Sequence, residues 1–384
     1  MSHCTANKKA ASAFVRRNSI PTTGAVAKAL FNSAIGIDVH HDILVCAYQY
    51  CNRESDEITT EVCSFGTTAS ELARFTDWCR NHHPEQILME STGVLWFSPY
   101  EALESVGFTN RQLSLINARD FKAIVGRKSD KQDAERLALY ARIGNVRSSF
   151  VPAKCFREMR AVSRLLSKTT DEQSRARSRY LKTLNFIGCR ASSVFSDVRG
   201  KAATAILEVL AEGTREQLID AIKIHGRRLR KSAAEILDAL DFAVSPAMAM
   251  QLRIQKQHME ALSQTCEELY ALLKVMQANY QPWINRLMTV PGIKERAARV
   301  IFAEVTNDLS SFPDAAHLAS WVGVCPGTME SAGKRYSGRA AKGNRYLRRI
   351  LVECSQAIGL MRKGALYSLF QAFKERKGTR RAVV

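Results

Sequence analysis

Four acidic side chains stand out by where they fall. Asp38 follows the apolar run Ala34, Ile35, Gly36, Ile37, and Glu90 closes the run Ile87, Leu88, Met89. Asp130 and Asp133 open a stretch of helical character, and their spacing puts both carboxylates on one helix face. Acids gathered at one point raise each other's pKa, a conflict that hard, oxygen-seeking Mg2+ resolves. Two such ions in one site activate an attacking oxygen and stabilise a leaving one in phosphoryl transfer. Taken singly, each acid has an ordinary structural reading: a turn cap, a surface charge, a helix N-cap, a first-turn residue. The order Asp, Glu, Asp, Asp on strand ends and a helix start is the specific signal.

A second reactive group lies near the C-terminus. Ser331 sits among Gly327, Ala332, Gly333 and Gly338, followed by Lys334, Arg335, Arg339, Lys342, Arg345, Arg348 and Arg349 with no acid between them. A serine beside a basic, glycine-containing loop suits attack on a phosphodiester: the cations hold phosphates and the glycines allow close backbone approach. No histidine neighbours Ser331, so its activation falls to a metal. A DNA-binding loop with a solvated serine is the plainer reading, and Ser337 is the alternative nucleophile in the same loop.

The elements that must position these groups are legible in outline. Strands are expected over 33–37, Ile43–Tyr48 and 58–65, then a helix over 69–81, a strand from Gln86 to Met89, a helix over 94–106, and a strand Leu113–Ile116. Two more helices flank 127–131. Three strands, a helix, then alternating strand and helix is the order of a ribonuclease H-like α/β domain. After Pro152 the chain becomes rich in Leu, Ala, Arg, Glu and Gln and reads as a long helical, partly coiled-coil middle. Its basic start (Arg157, Arg160, Arg164, Lys168, Arg175, Arg177, Arg179, Lys182) is either a nucleic-acid face or a solvated one. Val290, Pro291, Gly292 and Ile293 form a turn like that of a helix-hairpin-helix element, able to present N–H groups to phosphate. The domains expected are a flexible basic arm at 1–32, an α/β domain at 33–152, a helical region at 153–281 and a mostly helical domain at 282–384.

The 384 residues carry 56 Lys and Arg against 37 Asp and Glu, a net charge of +19. Such an excess favours a polyanion, bound through counterion release. The ten cysteines include no CxxC pair or His-Cys cluster, so they read as reduced thiols of a cytoplasmic protein. No apolar run is long enough to span a bilayer. The acid-free first 37 residues hold Lys8, Lys9, Arg16, Arg17 and Lys28, a pattern of a flexible arm rather than a transit peptide.

In its anchors the chain resembles the insertion-sequence transposases that carry an Asp-Glu-Asp-Asp tetrad and are related to Piv-type invertases. The anchors are Ile35 to Val39, Met89 to Gly93, Lys128 to Ala134, Val290 to Ile293, Ser331 to Lys334 and Lys342 to Arg349. The resemblance implies a RuvC-like N-terminal domain with the tetrad at Asp38, Glu90, Asp130 and Asp133, two Mg2+ ions, and a C-terminal domain with Ser331 as nucleophile. It further implies donor and target double-stranded DNA, a guiding bridge RNA, and homodimers assembling to a tetramer, in a bacterial cytoplasm near the nucleoid. Two other readings remain at this point. One is a junction-resolvase type of nuclease using water as nucleophile; the other is a nucleic-acid-binding protein with a decayed site.

Overall fold

The computed structural model describes residues 14–18, 29–90, 93–117, 129–144, 148–195, 200–212, 214–226, 229, 231–240, 242, 244–325, 329–331, 334–337 and 342–383. The chain divides into two compact units, 1–154 and 155–384. The first is mixed α/β and the second is mostly helical.

The sheet of the first unit is built around β2 (Ser33–Val39), every residue of which is buried. On one side lie β3 (Ile43–Cys51) and β4 (Ile58–Gly66), both antiparallel. On the other lie β5 (Gln86–Glu90) and β6 (Leu113–Ile116), both parallel. Parallel neighbours need crossovers. These are supplied by α1 (Ala69–Asn81) and α2 (Phe97–Ser105). The segment read as a flexible arm contains β1 (Phe14–Asn18), paired antiparallel with β4 from Phe14 opposite Val62 to Asn18 opposite Ile58. A sheet edge offers unpaired N–H and C=O groups, and this strand takes them up. The expected arm is corrected to that extent.

Side-chain alternation sorts the two faces. Ile35, Ile37, Val39, Ile87 and Met89 pack with Phe75, Cys79, Tyr100 and Leu103 of α1 and α2. Ala34 and Leu88 face the other way, against Leu137 and Ala141 of α3 (Asp130–Ile143), as do Val45 and Ala47 against Ala134 and Ala138. Gly36 shares that second face. A Cβ there would lie 2.2 Å from both the Ala134 oxygen and the Ala138 nitrogen, so only glycine lets α3 lie this close to the central strand.

In the second unit α4 (Lys154–Phe186) is followed by α5 (Ala191–Val194), α6 (Lys201–Glu212), α7 (Arg215–His225) and α8 (Ala233–Leu240), and then by α9 (Pro246–Met276). The two long helices run antiparallel: Gln255 donates to Thr183 at 3.1 Å, and Thr170 meets Cys266 at 3.9 Å. Further along are α10 (Gln281–Met288), α11 (Glu295–Val305), α12 (Ala315–Val322), α13 (Arg345–Leu360) and α14 (Ala365–Lys377). One core joins Phe156, Met159 and Leu166 to Leu273, Ile284 and Phe302. Packing therefore runs across the 281/282 line drawn from composition, because the start of α4 is covered by α10 and α11. Among the described residues no helix is long and apolar enough to cross a membrane.

Candidate functional site

The site at the end of the sheet follows from the alternation. Ala34, Gly36 and Asp38 point to the α3 face, and so do Leu88 and Glu90, one strand over. Asp38 and Glu90 are both buried, at 6% and 7% exposure. The first turn of α3 brings Asp130 and Asp133 to the same end. Its start is fixed by Ser129, an extended N-cap whose hydroxyl accepts from the Gln132 amide, and its end by Gly144 in the left-handed region. Both acids lie in a first turn, where the helix dipole favours negative charge.

His40, two residues beyond Asp38, sits over these groups. Its Nε2 lies 3.0 Å from Asp38 Oδ2 and 3.7 Å from Asp130 Oδ1. One ligand atom each from Asp38, His40 and Asp130 fall within 4.8 Å of one another. Burial pushes the Asp38 carboxyl above its ordinary value; His40 opposes this, while the charges of Glu90 and Asp133 add to it. Asp38, His40 and Asp130 thus come together by distance, and the charges of Glu90 and Asp133 reach Asp38. Asp133 also receives a hydrogen bond from Arg136 at 3.3 Å, one turn along α3.

A divalent cation fits this donor set. The carboxylates are hard oxygen donors, they lie at a sheet end that α3 closes on one side, and Asp38 is held toward its neutral form by burial and by the like charges beside it. A cation relieves both effects. His40 is not among the residues that the acid pattern singles out. A signal for it exists in the sequence all the same: residues 34, 36, 38 and 40 share one side of an extended chain.

The serine segment is described as backbone. β7 (Met329–Ser331) pairs antiparallel with β8 (Lys334–Ser337), with Ser331 opposite Lys334. Lys334, Arg335 and Ser337 therefore lie on the strand facing Ser331, while Arg339 lies outside the described residues. Lys342 and Arg345 are exposed and Arg348 is half-buried. Arg349 is held by Asp171 at 2.6 Å and Glu353 at 2.9 Å. The segment before α13 lies hard against the end of α12, since a Cβ on Gly343 would fall 2.4 Å from the Gly323 nitrogen.

Two readings of basic or turn segments change. Arg157 and Arg160 of α4 are buried at 4% and 8% exposure, so neither belongs to a solvated or nucleic-acid face. Arg160 donates to the Ala303 and Glu304 carbonyls. Arg164 grips the fully buried Glu304 carboxylate through two bonds of 2.7 and 2.8 Å. Burial pushes the Arg160 guanidinium down to about 10, against the pull of Glu304. The same carboxylate accepts from Asn344 at 2.7 Å, and Asn344 caps α13 by accepting from Tyr346 and Leu347. In the turn between α10 and α11, the amides of Val290 and Ile293 donate to the carbonyls of Leu287 and Val290. Gly292, at φ +88°, packs on Cys354 and Ile358 of α13. Those two amides serve the turn itself rather than a phosphate.

Comparison with known proteins places both ends of the chain. Residues 35–188 match the family model DEDD_Tnp_IS110, described as a transposase. Residues 284–370 match the Transposase IS116/IS110/IS902 family. Together the two matches cover well over half the chain. The chain is similar to the Insertion element IS110 uncharacterized 43.6 kDa protein of Streptomyces coelicolor, 30% identical over 172 residues, covering 39% of this chain and 40% of that relative. It therefore spans less than half the length of that curated relative.

Proposed function

We propose that the chain acts as an IS110-family transposase, the reading its two matched segments support, and that it cuts and rejoins DNA through a cation site at Asp38, Glu90, Asp130 and Asp133. What supports this reading most is the β2–β5 register that sets Glu90 beside Asp38, together with the His40 side chain shared by Asp38 and Asp130 at the start of α3. The strand order supports it: leaving β1 aside, the sheet runs β4-β3-β2-β5-β6, the order of a ribonuclease H-like, RuvC-like domain. Fold alone does not assign activity. Here the fold and the acids agree.

When bound, the divalent cation (Mg2+ is the oxygen-preferring choice, with two per site in the fullest form) supplies charge stabilisation to a phosphorane-like transition state and acidifies an attacking hydroxyl. The chain's own groups do the rest. Asp38 and Glu90 hold fixed positions on buried strand ends, and Asp130 and Asp133 are presented by the rigid first turn of α3. In the proposed reaction the Ser331 oxygen attacks the scissile phosphorus and loses its proton. The bond to the 3′ oxygen breaks, leaving a free 3′-hydroxyl and a phosphoserine ester. After strand exchange that 3′-hydroxyl attacks the partner's phosphoserine and releases serine, so the bond energy is retained and no ATP is consumed. Lys334, Arg335, Arg339, Lys342, Arg345 and Arg348 bind backbone phosphates. Donor and target DNA are the substrates. A bridge RNA guides the choice of site, and dimers pair into a tetramer.

The test uses element-end DNA, divalent cation and the protein with its copurifying RNA. Wild type is expected to cut and to be trapped on DNA in a denaturing gel, and Asp133→Asn to do neither. Cutting without trapping would instead identify a nuclease that uses water. Equal cutting by Asp133→Asn would remove the tetrad from the reaction.

A further inference from the structure

His40 is partly exposed, yet its ring nitrogen reaches two carboxylates at once. It follows directly on β2, and its backbone N–H donates to the Ile43 carbonyl at 3.0 Å, which fixes the tight turn into β3. The side-chain alternation that aims Asp38 at α3 aims His40 the same way. Its Nε2 separations from the two carboxylates, 3.0 and 3.7 Å, lie at or just above the roughly 3 Å spacing between adjacent ligands of an octahedral ion with bonds of about 2.1 Å. One atom from each of Asp38, His40 and Asp130 falls within 4.8 Å of the others, close enough for the three to share one ion, and Asp130 is exposed.

From this geometry we propose that His40, through Nε2, is a nitrogen ligand of the cation held at Asp38 and Asp130, and that the site suits a first-row transition ion such as Mn2+ above Mg2+. The proposal rests on reading the acids as a cation site and adds the identity of the donor and the class of ion. Mg2+ takes oxygen ligands and gives up its waters reluctantly. Imidazole nitrogen is a donor for transition ions, whose affinities for a mixed site climb from Mn2+ through Co2+. Carboxylates alone would discriminate weakly between Mn2+ and Mg2+; one nitrogen among them tilts the balance. The rival account of His40 is a simple counter-charge, an imidazolium bridging two carboxylates, which would leave the bound ion with oxygen ligands only.

Mn2+ alone serves as the probe, with full-length, nuclease-treated protein at fixed pH. Free Mn2+ is read from its room-temperature electron paramagnetic resonance signal, and nitrogen coupling from pulsed spectra of the bound ion. Wild type is expected to bind Mn2+ with a 14N coupling typical of imidazole. In His40→Gln that coupling should vanish and Mn2+ affinity fall by about 10-fold or more, with Mg2+ affinity, read by competition, changing less than about 3-fold. His40 is partly exposed at a turn, and His40→Ala gives a second variant that should behave alike. If Mn2+ binds wild type and is lost in Asp38→Asn, yet shows no 14N coupling and no loss in His40→Gln, the nitrogen ligand is disproved and the acids' cation site stands. If Asp38→Asn binds Mn2+ as wild type does, the cation site itself is disproved, and His40's role with it.

Discussion

Gly36→Ala tests the link between packing and chemistry. The added methyl would sit 2.2 Å from the Ala134 oxygen and the Ala138 nitrogen and 2.7 Å from Leu137 Cβ, where ordinary contact begins at 3.4 Å. Two of these three atoms are backbone, so no rotamer change relieves the overlap. Helix α3 has to retreat from β2 by about 1.2 Å, or tilt about its covered face. Overpacking of this kind costs about 1–3 kcal/mol, which the first unit survives. The chemistry is less tolerant. Asp130 and Asp133 ride on α3 while Asp38 and Glu90 stay with the sheet, so the whole displacement enters the distances between them. A misplacement near 1 Å lowers rates on the order of 100-fold. The expected result is a folded protein with native far-ultraviolet dichroism, weakened divalent-cation binding by calorimetry, and DNA cleavage down about 100-fold. Cation affinity and cleavage equal to wild type in a folded Gly36→Ala protein would refute the claim that this close approach sets the site.

Other outcomes follow from the same packing and charges. Glu304→Gln leaves Arg160 and Arg164 without their counter-charge. The loss should be about 2–4 kcal/mol in urea unfolding, below the full figure for a buried pair because the Arg164 side chain is 38% exposed. Faster amide exchange at Tyr346 and Leu347 should accompany it, and an unshifted midpoint would contradict the assignment. Asp38→Asn should melt higher than wild type at neutral pH without divalent cations. The folded-state pKa of Asp38 is raised, so its ionisation works against folding: stability is lost as pH rises from the unfolded value of 3.8 through the folded one, and the two proteins should converge below that range. Added divalent cation should then stabilise wild type and leave Asp38→Asn unmoved; melting curves with and without chelator check both signs. Replacing exposed Lys342 and Arg345 by Ala should weaken DNA binding for all sequences. It should also flatten the log–log salt dependence by about 0.9 for each phosphate no longer neutralised, measured by fluorescence anisotropy.

Much of the first unit is legible in the sequence because its signals are local. Apolar runs ending in an acid mark β2 and β5, and the paired acids mark the start of α3, although the N-cap is Ser129, and Asp130, for which a cap is one reading from the sequence, lies in the first turn. The expected strand over 33–37 extends to Val39, since Asp38 is buried and paired in the sheet opposite Val45 rather than standing beyond its end. What escapes depends on partners far along the chain. Arg160 looks like charge for solvent or phosphate until Ala303 and Glu304, more than a hundred residues on, come to rest against α4. The helical spacing of Phe156, Met159, Arg160, Ser163 and Leu166 does place Arg160 on the buried stripe. β1 gains its place from pairing with β4, and its Arg16 and Arg17 mask it as an arm. His40 escapes because it is no acid, and only the alternation from Ala34 onward aims it at the site.

Peptide mapping by mass spectrometry shows directly where DNA becomes joined to protein. Protein recovered from a cleavage reaction on element-end DNA is digested with nuclease and protease. The predicted result is a nucleotide mass on the peptide containing Ser331 in wild type, and on no peptide in Ser331→Ala or Asp133→Asn. A nucleotide carried on another residue, or persisting in either variant, would contradict the joint action of the tetrad and Ser331.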